Sequence, residues 1–101
     1  MPLTSKQRAQ LKALAQNEDT IIQIGKSGIS DSLVEQVSSA LAARELVKGK
    51  VLESSLLTAR EACDELAERC KAEGVQTIGN KFVLYKRNEK EPRIQLVKTK
   101  R

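Results

Sequence analysis

The sequence predicts a single compact α/β domain with the element order α-β-α-β-α-β-β, in which helices pack on a small mixed sheet. The chain has 101 residues, 40% of them apolar, which is enough for one layered core and too short for two ordinary domains. Helical apolar stripes alternate with short β-branched runs, which favours strand–helix–strand units with parallel pairing. Only Gly79-Asn80 separates the last two strands, which indicates an antiparallel hairpin. The result is a two- or three-layer sandwich.

The first half of the chain provides two helices and one strand. Thr4, followed three residues later by Gln7, is typical of a capping box and opens a helix that ends near residues 16–17. The β-branched run 20–24 (TIIQI) predicts a buried strand. Ser30 is a good N-cap for a second helix over about 31–44.

A second strand and a third helix follow. Residues 45–52 predict the strand, and Gly49 within it predicts a bulge or a close backbone approach. Thr58 and Glu61 form a second capping box, and Gly74 is the expected C′ residue of the third helix. The outer face of this helix carries four of the chain's 13 acidic residues, namely Glu61, Asp64, Glu65 and Glu68.

Residues 75–78 and 81–86 predict the hairpin strands. Alternation places Phe82 and Leu84 on one face and Val83 and Tyr85 on the other. Phe82 is therefore a core residue, whereas Tyr85 belongs either to the edge of the core or to a base-stacking position beside Lys86 and Arg87.

The folded domain is expected to cover residues 1–87, followed by a basic segment, 88–101. This segment forms either a short edge strand through Ile94, Leu96 and Val97 or a mobile tail. The net charge of +5 is unevenly distributed, because residues 81–101 hold eight basic and two acidic side chains. Such asymmetry favours a polyanion partner, although a solvated tail that aids solubility is an equally good interpretation.

Several function classes are excluded. Without histidine the chain has no His-based catalysis or imidazole zinc site, and two cysteines are too few for a thiolate zinc site. Cys63 and Cys70 lie two helical turns apart, about 10.5 Å, which is too far for a disulfide and typical of small core residues. We find no catalytic constellation and expect no enzyme activity, cofactor or small-molecule substrate. No apolar run is long enough to span a membrane and the start lacks a secretory h-region, so we expect a cytoplasmic protein.

The most informative local motif is the loop of Gly25, Lys26, Ser27 and Gly28 between a strand and a helix. Two glycines permit positive φ and close approach of a ligand, and the helix that follows directs free N–H groups and its positive dipole end at the loop. Lys26 adds a cation, so the loop suits a phosphate, as in the Gly-x-x-Gly loop of KH modules. An ordinary glycine turn remains the alternative. The patterns of the P-loop and of dinucleotide-binding folds are absent.

Four stretches, in order, carry a family resemblance: 22–30 (IQIGKSGIS), 45–48 (ELVK), 50–52 (KVL) and 78–87 (IGNKFVLYKR). Together with the opening residues 3–15, they resemble the CRM (chloroplast RNA splicing and ribosome maturation) domain family, and in particular its stand-alone bacterial YhbY-type members. The resemblance covers roughly residues 3–87. Gly49 departs from the β-branched residue that is usual at that position of the family.

The resemblance implies an RNA-binding domain with a fold similar to the C-terminal domain of translation initiation factor 3. Bacterial members of the family associate with precursors of the large ribosomal subunit, and the Gly-x-x-Gly loop is the presumed RNA contact. We therefore expect a monomeric, non-enzymatic protein that grips ribosomal RNA and assists large-subunit assembly. The expected RNA-binding residues are Gly25, Lys26, Ser27, Gly28, Lys6, Arg8, Lys12, Lys48, Lys50, Lys81, Lys86 and Arg87. The alternative is a protein–protein adaptor on the ribosome that uses the acidic third helix and the basic tail.

Overall fold

The computed structural model describes residues 3–92, 94 and 96, and it confirms the predicted element order. Three helices and four strands follow one another as α1 (Ser5–Ala15), β1 (Thr20–Ile24), α2 (Asp31–Arg44), β2 (Leu46–Val51), α3 (Ala59–Cys70), β3 (Glu73–Ile78) and β4 (Lys81–Tyr85). Both predicted capping boxes are present, and Ser30 caps α2 by accepting a hydrogen bond from the Leu33 N–H.

The four strands form one mixed sheet in the order β1-β2-β4-β3. β1 pairs parallel with β2, whereas β4 pairs antiparallel with both β2 and β3. The carboxyl ends of β1 and β2 and the β3–β4 turn therefore lie at the same edge of the sheet. We call this the loop edge.

Each face of the sheet has its own core, so the domain has three layers. On one face α2 and α3 pack on a cluster that includes Ile22, Val47, Phe82 and Leu84. On the other face α1 places Leu11 and Ala15 against Leu46, Val75, Val83 and Tyr85. The predicted division of β4 is confirmed, because Phe82 and Val83 belong to different clusters.

Gly49 makes room for the ring of Phe82. The two residues pair across β2 and β4, and a Cβ on Gly49 would lie 2.4 Å from the Phe82 Cζ atom. No side chain fits there while the ring keeps its position. The sequence predicted a bulge or a close backbone approach at Gly49, but the group that approaches is the aromatic side chain of Phe82 rather than backbone. This contact explains why a β-branched residue cannot occupy position 49 beside Phe82.

Two predicted element boundaries were wrong. Glu45 does not begin β2; it is the C-cap of α2, with φ of 64° and its N–H donating to Leu41 O at 2.8 Å. Gly74 is not the C′ residue of α3, because the helix ends four residues earlier and Lys71 takes the left-handed conformation at its C-cap. Gly74 belongs to β3, where it pairs with Leu84.

Glu45 also holds the chain that follows β4. It is fully buried, and its carboxylate accepts hydrogen bonds from the backbone N–H groups of Asn88 and Ile94, each at 2.7 Å. Ile94 and Leu96 pack against the α1 side of the core, and neither lies in a strand. Val97, the third residue of the expected edge strand, lies outside the described residues.

Candidate nucleic-acid interface

Residues 25–28 form a closed turn between β1 and α2, which we call the 25–28 turn. The Gly28 N–H donates to Gly25 O at 3.0 Å, so Lys26 and Ser27 occupy the tip. Both tip residues are exposed, and within the described residues their backbone N–H groups have no hydrogen-bond acceptor. The turn therefore presents two free donors and one lysine ammonium to an anion.

The two glycines of this turn differ in whether the backbone conformation requires glycine. Gly28 has φ of +68°, a conformation that ordinary side chains adopt only with strain. Gly25 has no positive φ, and a Cβ built on it would make only ordinary contacts of 3.5 Å with Ser54 Oγ and 3.6 Å with Leu52 Cδ1. The fold alone does not require glycine at position 25, which leaves close approach of a ligand as a reason for it.

The helix that follows the turn also carries a negative charge. Ser30 caps α2, and Asp31 lies in the first turn with its side chain 96% exposed. Arg69 from α3 forms an ion pair with the Asp31 carboxylate at 2.8 Å, which neutralises part of this charge. The positive end of the helix dipole thus lies at the loop edge, with the Asp31 carboxylate in the same turn.

The loop edge brings other segments beside the turn. Leu52 N donates to Ile24 O at 2.8 Å, which joins the segment after β2 to the end of β1. At the hairpin, Val51 N donates to Asn80 O at 2.7 Å and the Asn80 side-chain amide donates to Val51 O at 3.3 Å. The 25–28 turn, the end of β2 and the hairpin therefore form a continuous edge.

Beside this edge the sheet carries a row of side chains on the α1 face. The register aligns Gln23 of β1 with Lys50 of β2, Lys50 with Lys81 of β4, and Lys81 with Ile78 of β3. Paired residues of a sheet project from the same face, and adjacent strands lie about 4.8 Å apart. The row crosses the whole sheet and begins two residues before the 25–28 turn.

Two of the predicted binding residues are tied to backbone carbonyls. Lys48 Nζ donates to Ala15 O at 3.3 Å and so binds the C-terminal end of α1. The Arg8 guanidinium donates to Gly74 O and also to Val75 O, at 3.3 Å, and so fastens α1 to β3. Both side chains are half-buried, and Arg8 in particular has a clear structural role.

The remaining predicted residues are distributed over both ends of the sheet. Lys86 and Arg87 follow β4 at the end opposite to the loop edge, about 17 Å along the strand from Lys81. They line a groove with Leu3, Thr4 and Gln7, which places the start of α1, and therefore Lys6, at this far end. Lys12 lies in the last turn of α1, toward the loop edge.

Sequence reasoning missed the polar and apolar residues between the lysines. Gln76 and Ile78 line a pocket with Lys48, Lys81 and Val83 beside the end of α1, and Ile78 is 64% exposed. The sequence shows that Ile78 lies directly before the Gly-Asn turn. It does not show that Ile78 lies beside the lysines of β2, because that follows only once β4 is known to lie between β2 and β3.

The cysteines belong to the core, as the sequence predicted, and of the two positions left open for Tyr85 the structure shows the one in the core. Cys63 and Cys70 are free and buried, and burial together with the Asp64 carboxylate raises the pKa of Cys63 to about 11. Burial, reinforced by Glu45, also raises the pKa of Tyr85, whose hydroxyl is buried with no hydrogen-bond partner among the described residues. That part of the chain contains no cluster of metal-ligating side chains and no helix long and apolar enough to cross a membrane.

These features define an α/β domain with a Gly-x-x-Gly turn beside a basic sheet row, and comparison with known proteins gives the family. Residues 3–86 match the CRS1/YhbY (CRM) domain. The chain is 37% identical over 94 residues to "Probable RNA-binding protein YqeI" of Bacillus subtilis strain 168, covering 93% of this chain and 98% of that protein. It is 34% identical over 94 residues to an "RNA-binding protein" of Haemophilus influenzae, covering 93% and 94% of the two chains.

A solved structure agrees with these matches. The solution structure of the hypothetical protein SAV1595 from Staphylococcus aureus superposes with a TM-score of 0.71 at 37% sequence identity, covering 95% of this chain and all of that one. The chain belongs to the CRS1/YhbY (CRM) domain family.

Proposed function

We propose that this chain is a non-enzymatic RNA-binding protein that holds the RNA backbone at the 25–28 turn. The observation that carries the proposal is the coincidence of free N–H donors, the Lys26 ammonium and the Lys50–Lys81 pair at one edge of the sheet. Phosphate oxygens accept hydrogen bonds and carry negative charge, so they complement all of these groups. The names of the Bacillus and Haemophilus relatives agree with this assignment.

The footprint extends from the turn in two directions. Lys48, Lys50 and Lys81 continue it across the sheet, with Lys12 at the end of α1 beside them. Lys6, Lys86 and Arg87 form a second basic group at the far end, which a longer RNA reaches by following the α1 side. Arg8 contributes positive potential and positions α1. Because phosphate contacts read no sequence, we expect selectivity to come from RNA shape and unpaired segments.

The proposed biological partner is ribosomal RNA in precursors of the large ribosomal subunit. Membership of the CRM family and the basic loop edge support this partner. In this role the protein acts as a cytoplasmic monomer that assists subunit assembly, and it needs no cofactor.

Sedimentation of native complexes tests the RNA assignment against a protein–protein adaptor. The adaptor depends on the acidic face of α3, but Glu61 accepts a hydrogen bond from the Thr58 N–H and Glu65 lies 3.6 Å from Arg69, so these two acids are engaged within the chain. We expect ribonuclease treatment to release the protein from large-subunit precursors, and Lys26→Ala to reduce its co-sedimentation before digestion. Retention of the wild-type protein after complete RNA digestion would favour the adaptor instead.

A further inference from the structure

The face of the sheet that carries α1 is only partly covered. Leu11 and Ala15 of α1 pack over the β4 half near Leu46, Val75 and Tyr85, and α1 ends at Ala15. Beyond this point lies an area that we call the open sheet patch. It consists of Gln23, Lys48, Lys50, Gln76, Ile78 and Lys81.

The patch combines an exposed apolar side chain with amides and ammonium groups. Ile78 is 64% exposed, and the pocket at its side has a volume of about 150 Å³. A cavity of this order of volume admits one benzene-sized ring. Gln76 and Gln16 line the same pocket, and each amide offers a hydrogen-bond donor and an acceptor.

The charge of the patch has no internal compensation. Lys50 and Lys81 face each other directly across β2 and β4, and like charges in this position destabilise a sheet. Among the described residues neither ammonium has an ion-pair partner, and the patch contains no acidic side chain. Uncompensated repulsion between two lysines is typical of a functional surface, because an anionic ligand removes the repulsion.

An unpaired nucleotide fits these three properties together. Its base is planar, with an apolar face for Ile78 and polar edges for the glutamine amides, and its phosphates complement Lys50 and Lys81. A base in a duplex is stacked and paired, so it cannot enter the pocket. We propose that the open sheet patch binds an unpaired RNA base over Ile78 while the 25–28 turn holds the adjoining backbone. This proposal rests on the proposed function and specifies its substrate as single-stranded RNA.

The Ile78→Trp substitution makes RNA binding at the patch measurable by fluorescence, because the natural chain contains no tryptophan. The Ile78→Trp variant should show strong fluorescence quenching with a mixed-sequence single-stranded RNA of twelve nucleotides and little quenching with the same RNA as a duplex. Leu56→Trp is the matched control, since Leu56 is fully exposed and outside the patch. Equal quenching of the two variants, or equal quenching by single strand and duplex, would overturn the proposal.

Affinity measurements separate this proposal from the proposed function. Ile78→Ala should weaken single-stranded RNA binding about threefold to tenfold and leave duplex affinity unchanged, since contact with one base is lost. Leu56→Ala should change neither affinity. If the wild-type protein binds RNA through Lys26 but Ile78→Ala has no effect, only the base site is wrong, whereas absence of any RNA binding refutes the proposed function. Quenching of Ile78→Trp by an acidic peptide but not by RNA would overturn the base site in favour of a protein partner.

Discussion

Lys50 and Lys81 occupy directly opposite positions on the antiparallel strands β2 and β4, with their side chains on the same face of the sheet. Two ammonium groups at a cross-strand pair repel each other, and within the described residues neither forms an ion pair with a carboxylate. The pair therefore costs stability in the free protein and produces positive potential beside the 25–28 turn.

Lys81→Glu should separate stability from function. The substitution replaces repulsion by attraction to Lys50, so we expect the free energy of unfolding to rise by about 0.2–1 kcal/mol. RNA affinity at low salt should fall by about tenfold, because a phosphate contact is replaced by a repulsive charge. Urea denaturation and RNA titration measure the two effects.

Lys86→Glu is the control for this substitution, because Lys86 lies beyond the β2–β4 ladder and has no lysine opposite it. We expect no comparable gain in stability from Lys86→Glu. A loss of stability in Lys81→Glu, or unchanged RNA affinity, would contradict the role assigned to the pair.

Gly25→Ala should weaken RNA binding without weakening the fold. The new methyl group meets only ordinary contacts, and the lower chain entropy of the unfolded state favours alanine by about 0.4–1 kcal/mol. Gly28→Ala serves as the comparison, because its positive φ makes alanine cost about 1–2 kcal/mol. Thermal unfolding and RNA titration of both variants test this. Unchanged RNA affinity in Gly25→Ala would indicate that the 25–28 turn is an ordinary glycine turn rather than an RNA contact.

Gly49→Ala should destabilise the domain by about 1–3 kcal/mol, because its Cβ overlaps the Phe82 ring. Phe82→Leu removes the ring, so the double variant should be more stable than the sum of the two single effects implies. Urea denaturation of the four proteins completes the cycle. Additive effects would show that the overlap between the Cβ at position 49 and the Phe82 ring does not cause the loss of stability in Gly49→Ala.

The alkaline stability of the domain should depend on Cys63. Burial raises the pKa of this thiol to about 11 from its ordinary value of 9.0, so in that interval the unfolded chain loses the thiol proton while the folded chain keeps it. The contribution to stability is complete below pH 9 and is lost as the pH rises to 11, up to about 3 kcal/mol in total. Cys63→Ala should give a shallower decline of unfolding free energy over this interval. An equally steep decline of unfolding free energy in the wild-type protein and in Cys63→Ala would contradict the role assigned to Cys63.

Sequence reasoning succeeded where local chemistry decides the structure. Thr4 with Gln7 and Thr58 with Glu61 specify helix starts through contacts three residues apart. It failed at Glu45, because the sequence gives no local sign that a glutamate takes a positive φ; this conformation is supported by hydrogen bonds to Asn88 and Ile94, more than forty residues away.

The candidate site also has one part that the sequence predicted and one part that it did not. The 25–28 turn is contiguous, so its four residues could be named from the sequence. The grouping of Lys48, Lys50 and Lys81 on one face depends on the insertion of β4 between β2 and β3, which is a long-range property of the sheet. Gln76 and Ile78 were missed for the same reason, since neither carries a charge that points to a nucleic acid.

The salt dependence of RNA binding by Lys26→Ala tests the central claim most directly. Titrations of wild-type and variant proteins with several unrelated RNAs, each over a range of salt concentrations, give the slope of log affinity against log salt. We expect the variant to bind every RNA more weakly and its slope to fall in magnitude by about 0.7–0.9, the value of one lost phosphate contact. An unchanged affinity and slope would contradict the claim that the 25–28 turn holds the RNA backbone.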